Sequence, residues 1–300
     1  MVLLGAMLFG TNGIAQALGP SAPPRAVGAV RVIVGGAILL AVALSRRCRF
    51  ESARSMPLVT LALGAAVACY QTLFFSGIVR TGVAVGSIVT VATTPAATGL
   101  VGYLLNRDVP SRRWFLATVL AIAGTVAVSG LESSGHVDAL GLVMCVASGV
   151  SVGVYTVLTK RLLLAGSSVL EVSTVEVALS GLLLVPVLVT AGTGWLRTGP
   201  GLALAGYLGV VTTAVGFSLI ALGLSRIRPA TAATLGLAEP VTAAVLAVLI
   251  LDERFSGLQV AGAAAVAVAL VFIANEPVPV SPAVDRDESP ATVRATTSSA

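Results

Sequence analysis

Charge is what this chain has least of. Asp, Glu, Lys and Arg make up 10% of its 300 residues, against 56% hydrophobic, and the mean hydropathy is +1.00. A soluble domain carries about 25% charged residues to solvate its surface, so the composition reads as an all-α polytopic membrane protein. Histidine is nearly absent: His136 stands alone beside Asp138, without further residues at metal-ligand spacing. The three cysteines, Cys48, Cys69 and Cys145, show no paired metal or redox spacing, and two of them fall inside apolar runs, where packing is the expected role. There is no H-E-x-x-H, no phosphate-cradling glycine loop and no intramembrane aspartate pair. An enzyme is therefore not expected, nor any cofactor or metal. A formal charge of +5 would suit nucleic acid. The basic residues instead lie in short loops between apolar runs, which is the pattern of topology determinants.

What is present is a series of ten apolar runs, at 2–18, 26–45, 57–79, 83–105, 113–130, 139–159, 170–192, 201–223, 230–251 and 256–274. About 20 apolar residues span the hydrocarbon core as a helix, so each run is long enough for one crossing with varied tilt. The first run lacks the basic leader of a signal peptide, although Ala15-Gln16-Ala17 loosely mimics a cleavage site, and it is retained as a membrane helix. Residues 275–300 hold four prolines, acidic residues including Asp285, Asp287 and Glu288, and a Thr/Ser-rich end, and are expected to form a disordered cytoplasmic tail.

Eleven basic residues fall in loops on the side of the N-terminus: Arg46, Arg47, Arg49, Arg54, Arg107, Arg112, Arg113, Lys160, Arg161, Arg226 and Arg228. Four fall opposite: Arg25, Arg80, Arg197 and Arg254. The excess places both termini in the cytoplasm of a bacterial-type cell membrane.

The two halves match at a shift of 145: Pro95 with Pro240, Asp108 with Glu253, Ser111 with Ser256, Gly64 with Gly209 and Gly36 with Gly181. The first helix fits a shift of about 139 instead, pairing Gly10 with Gly149. Five spans per copy is odd, so the second copy enters from the opposite side. The expected fold is ten transmembrane helices as two inverted five-helix repeats, 1–131 and 139–274, an architecture suited to alternating access.

The segment LAEPVTAAVLAVLILDERFSGLQVAGAAAVAVALVFIAN resembles the closing helices of an EamA repeat of the drug/metabolite transporter superfamily, and TTPAATGLVGYLLNRDVPSRRWFLATVLAIAGTVAVS is a weaker copy. FGTNGIAQALG followed by PPRAVGAVRVIVGGAILL is similar to the family's first two helices, including its helix-two arginine, here Arg31. Phe9 stands where the family usually has Trp, and Asn106-Arg107-Asp108 where the second repeat has Leu251-Asp252-Glu253. The resemblance covers about residues 1–275 and implies export of metabolites, amino acids or drugs. A sugar-phosphate or nucleotide-sugar exchanger of the same superfamily is the alternative, disfavoured because midplane Lys or Arg for phosphate is missing beyond Arg31.

Candidate solute or proton positions follow from cost and depth. Glu239 lies about nine residues into its span, roughly 14 Å deep. A charged residue there costs roughly 2.5–3.5 kcal/mol on insertion scales. A carboxyl at that depth can take a proton when occluded and release it when water enters, or can meet a substrate ammonium. Its bland reading is a neutral acid bonded to backbone. Pro240 removes an amide donor and frees the carbonyl of Gly236, which is expected to face protein or water rather than lipid. Thr94 and Pro95 repeat the device. Arg31 and Glu176 match at the shift of 145 with opposite charges but are expected on opposite sides of the midplane. Arg31 is either an anion site at the outer vestibule or a snorkelling side chain. Asn12 and Gln16 share a helix face, and with Tyr70, Gln71 and Tyr155 they suit a small zwitterionic or amphipathic solute, the competing role being interhelical hydrogen bonds. Gly82-x-x-x-Gly86 and Gly149-x-x-x-Gly153 are read as packing. The expected partners are a small-molecule solute and the bilayer, with the chain a monomer or homodimer.

Overall fold

A computed structural model describes residues 1–128, 138–251 and 256–275. Every regular element among the described residues is helical, as lipid demands of a chain whose backbone groups must pair within their own segment. The main helices are α1 (Val2–Leu18), α2 (Pro24–Ser45), α3 (Pro57–Thr81), α4 (Val83–Asn106), α5 (Arg112–Val128), α6 (Ala139–Leu164), α7 (Val169–Ala191), α8 (Gly199–Leu224), α9 (Pro229–Leu251) and α10 (Gly257–Ala274). Among the described residues eight of these, α2 to α4 and α6 to α10, are long and apolar enough to cross a membrane, and α1 is a shorter apolar helix of 17 residues. The expected tail, His136 and the Asp252–Arg254 stretch lie outside the described residues.

Local chemistry sets the ends. Asp138, Ser168 and Thr198 each accept a backbone N–H from the first turn of α6, α7 and α8, and Ser256 with Gln259 closes a reciprocal capping box on α10. Proline opens α2, α3 and α9, where its missing donor costs nothing. Gly82 joins α3 to α4 at φ +83°, a conformation glycine supplies without strain, so it is a hinge between helices rather than the packing residue expected there. The helix α6 continues to Leu164, past the end of its apolar run at residue 159, because Lys160 folds back onto a neighbour: its Nζ donates to Leu224 O at 2.7 Å.

Small residues let the helices meet closely. Gly36 of α2 rests on Ala178 of α7, and Gly181 of α7 rests on Ile33 of α2. Gly64 of α3 rests on Leu179, and Gly209 of α8 on Val34. Shifting each number by 145 converts the first contact of each pair into the second. Gly124 and Gly262 bring α5 and α10 together. Along α1 the packing assigns a different equivalence from the expected 139. Gly10 meets Thr242 and Ala243, whose counterparts Ala97 and Thr98 are met by Gly153 rather than Gly149. The shift there is 143.

The helix ends form two faces. On the arginine-rich face, Trp114 Nε1 donates to Ala230 O (2.9 Å), Arg113 Nε to Phe272 O (3.0 Å), and Ala53 N to the buried Glu171 Oε1 (3.0 Å). On the opposite face, Arg80 pairs with Asp138 (2.6 Å), Tyr207 donates to Thr11 (2.8 Å), and Gln259 Nε2 donates to Val128 O (3.2 Å).

Candidate functional site

The site begins where α9 stops being one helix. Pro229–Leu235 and Ala238–Leu251 are separate helices joined at Gly236 and Leu237. Pro240 cannot donate to Gly236 O, and Glu239 N does so instead at 3.0 Å. The freed carbonyl is thus satisfied by a tightened turn, and needs neither the neighbouring protein nor the water expected of it. The turn leaves Glu239 in the first turn of the second helix, where the helix dipole favours a negative charge. Gly10 sits against Glu239 O and Thr242, leaving no room for a side chain on α1 at that level.

Arg31 faces the same region from α2. It is 7% exposed, so it neither snorkels nor lines an open vestibule. Its Nη2 donates to Gln71 Oε1 at 3.4 Å, a long bond, while Gln71 Nε2 donates to Gly28 O at 3.2 Å. Gln71 thereby orients the guanidinium, and Tyr70 stands in its field. Arg31 Nε has no partner among the described residues. Arg31 is the cation acting on Glu239, yet the two form no ion pair, and the Glu239 carboxylate accepts no hydrogen bond from the described residues. A buried cation with spare donors and a carboxylate with spare acceptors therefore stand near each other, unjoined.

Tyr155 of α6 lies in the fields of Arg31, Glu176 and Glu239, with its ring 6.3 Å from that of Tyr70. Glu176 of α7 is 2% exposed and accepts from Thr159 Oγ1 at 3.1 Å. It forms no ion pair with Arg31 among the described residues. Asn12 Oδ1 is buried without a partner among the described residues, whereas Gln16 Nε2 turns back to Asn12 O (3.1 Å) and is spent within its own helix. Thr94 Oγ1 likewise bonds Thr90 O (2.9 Å), and Pro95 lies inside a continuous α4. The structure thus brings Arg31, Tyr70, Gln71, Tyr155 and Glu239 together. It leaves Gln16, Thr94 and Pro95 in their own helices.

Two features escape sequence reasoning. Aromatic residues are only 5% of the chain, yet Phe9, Phe217, Tyr155, Tyr70, Phe74 and Phe75 form one continuous row, with successive ring centroids 5.3–6.3 Å apart. Six of the fourteen aromatic residues thus meet in one row, where ring pairs gain about 0.5–1.5 kcal/mol each. The second is a π-helical stretch in α8, Leu208–Val215, where Thr213 Oγ1 is buried without a partner among the described residues. No sequence pattern announces it, though wide turns of this kind frequently mark functional sites. A cavity of about 690 Å³ lies elsewhere, at the arginine-rich face between Arg46, Arg49, Ser168 and Glu171. It is remote from the charged groups of the central site. Among the described residues no cluster of His, Cys, Asp or Glu could hold a metal.

Comparison with known proteins gives the family and the fold. The chain is 36% identical over 278 residues to the uncharacterized transporter YwfM of Bacillus subtilis (strain 168), covering 92% of this chain and 93% of that one. It is 30% identical over 273 residues to the threonine/homoserine exporter RhtA of Salmonella typhimurium (strain SL1344), covering 87% and 85%. A solved crystal structure superposes with a TM-score of 0.77 at 21% identity, over 91% of this chain and 96% of that one, which establishes a shared fold. The family model described as the EamA-like transporter family matches residues 1–130 and 139–275. This chain belongs to the EamA-like transporter family.

Proposed function

We propose that this protein is a secondary-active exporter of a small zwitterionic solute, amino acids foremost. Two five-helix repeats of inverted topology, 1–131 and 139–274, would alternate access around the central site, with both termini in the cytoplasm. The reciprocal contacts at a shift of 145 and the odd number of helices in each copy support that architecture. The observation that carries the substrate class is the unjoined pair of opposite charges. Arg31 offers donors suited to a carboxylate, Glu239 offers acceptors suited to an ammonium, and a solute bearing both groups satisfies each at once. The aromatic row beside them accommodates the apolar part of the solute. Similarity to relatives named as threonine/homoserine exporters supports testing amino acids first. Glu239 is also the group through which a proton would couple, occupied when the site is closed and emptied when water reaches it.

The test is transport in proteoliposomes of amino acids, organic acids, polyamines and lipophilic drugs, with and without a pH gradient, for the natural chain, Arg31→Gln and Glu239→Gln. Zwitterions should require both residues. Hydrogen bonds to charged groups contribute about 1.5–3 kcal/mol, so either substitution should lower kcat/KM by about 10- to 100-fold. Transport of cations that needs Glu239 alone, or of acids that needs Arg31 alone, overturns the zwitterion assignment. Full pH-driven transport by Glu239→Gln overturns the coupling.

A further inference from the structure

The two faces of the bundle are built from equivalent residues but are not equally closed. On the arginine-rich face, Trp114 of α5 wedges against Gly99 of α4 and bonds Ala230 O, and Thr118 Oγ1 meets Thr234 Oγ1 of α9 at 2.8 Å. Thr98, Gly99 and Gly102 of α4 face Arg228, Pro229 and Ala230 across a crevice of only about 10 Å³. Six of the seven residues in Pro229–Leu235 are buried. The shift of 145 names the counterparts: Gln259 for Trp114, Val85 for Ala230, Ala263 for Thr118 and Val89 for Thr234.

At the opposite face these residues are apart from that arrangement. Gln259 Nε2 donates to Val128 O, inside its own α5–α10 pair, rather than to Val85 O. Thr234 is fully buried and Thr118 is 5% exposed, whereas Val89 and Ala263 are both half-buried. Of the fourteen residues of Ala238–Leu251, Ala238 alone is buried. The half of α9 leading from Glu239 to the opposite face is therefore less buried than its counterpart in α4, 93–106, where Pro95, Ala97, Thr98, Gly99 and Gly102 are buried.

We infer that Val85 and Val89 of α4 and Gln259 and Ala263 of α10 are the gate of the opposite face, closing onto each other when the Trp114–Ala230 and Thr118–Thr234 contacts part. This rests on the two-repeat transporter reading above. The physical ground is that two copies of one structure in two states can exchange those states, so the contacts that seal one end specify the contacts that seal the other. Gln259 then moves its amide from Val128 O to Val85 O, as Trp114 holds Ala230 O now. Val89 settles on Ala263 as Thr234 settles on Thr118.

The experiment is paired-cysteine cross-linking in the full chain in membranes, with Cys48, Cys69 and Cys145 replaced by alanine. Val89→Cys with Ala263→Cys tests the proposed gate, and Thr118→Cys with Thr234→Cys reports the closed face. A third cysteine, Thr242→Cys, is probed from the arginine-rich side with an impermeant thiol reagent. The proposed pair should form a disulfide. An irreversible tether placed first across 118 and 234 should suppress that disulfide, and the labelling of residue 242, by about tenfold or more. Labelling of residue 242 that the tether abolishes, with no disulfide between 89 and 263, overturns this gate but keeps alternating access. Failure to label residue 242 from that side at all, in protein that transports in proteoliposomes, overturns both this gate and the exchange between faces. A disulfide between 89 and 263 that forms equally with the tether in place overturns the exchange between faces.

Discussion

The helices α4 and α9 carry the same proline in equivalent places and respond to it differently. In α4 the chain runs through Pro95 as one helix of 24 residues. Threonine hydroxyls bond back to carbonyls along it: Thr93 to Val89, Thr94 to Thr90 and Thr98 to Thr94. In α9 glycine stands four residues before Pro240, and the helix breaks there, with Glu239 N closing the turn. A proline inside a helix costs about 3 kcal/mol or more. What neighbours supply decides whether that cost appears as a bend or a break. The residue before each proline follows the same division, a hydroxyl turned into its own helix in α4 and a carboxylate left open in α9.

The sharpest way to break this contrast is to compare the two residues before the prolines. Glu239→Gln should lower transport by about 10- to 100-fold, whereas Thr94→Ala should change it less than about threefold, read as kcat/KM in proteoliposomes. Next come the glycines that let a partner helix approach each element. A methyl at Gly10 would lie 2.7 Å from Glu239 O, and one at Gly153 would lie 2.7 Å from Thr98 N. Gly10→Ala and Gly153→Ala should each destabilise by about 1–3 kcal/mol in thermal unfolding. Gly13→Ala, with nothing within 4 Å, should be neutral or mildly stabilising.

A smaller effect lies where α5 meets α4 and α9. Trp114→Phe loses both the bond to Ala230 O and the indole edge, Cη2 and Cζ2, that lies against Gly99, and should cost about 1–2 kcal/mol. The smallest lies at the far end of the bundle. The Arg80 hydrogen bond, aided by the Leu140 N–H, holds the Asp138 carboxyl below its ordinary value of 3.8. A carboxylate depressed in the folded state adds stability above its unfolded pKa and loses it as pH falls through the folded one. The stability of the natural chain should therefore decline in strong acid, below about pH 4. Arg80→Ala should flatten that decline and raise the Asp138 titration midpoint seen by NMR. Because the pair is exposed to water, the change in stability should be small.

The apolar runs made the helices legible, since lipid leaves the backbone few other choices. Their ends were less so. Lys160 and Arg161 end the hydropathy of α6 but not its helix, because Lys160 caps the neighbouring α8. Glu239 stood out through the cost of a charge at that depth, and Arg31 through its presence inside a span. Whether Arg31 snorkels could not be read from α2 alone, because Gln71, 40 residues away, is what holds it inside. The aromatic row and the π-helical turn of α8 depend on neighbours from four helices, and no local pattern encodes such a meeting.

Trp114 has one more consequence. The chain holds only two tryptophans, and the second, Trp195, is 8% exposed in the short helix Gly194–Arg197 between α7 and α8. One indole is thus seated in the closed face and the other is remote from it. On the gating inferred above, parting of that face would wet the Trp114 ring while leaving Trp195 in place, and the emission of the unlabelled protein would shift to the red. With Trp195→Phe as background, that shift would be an optical reading of which way the protein faces.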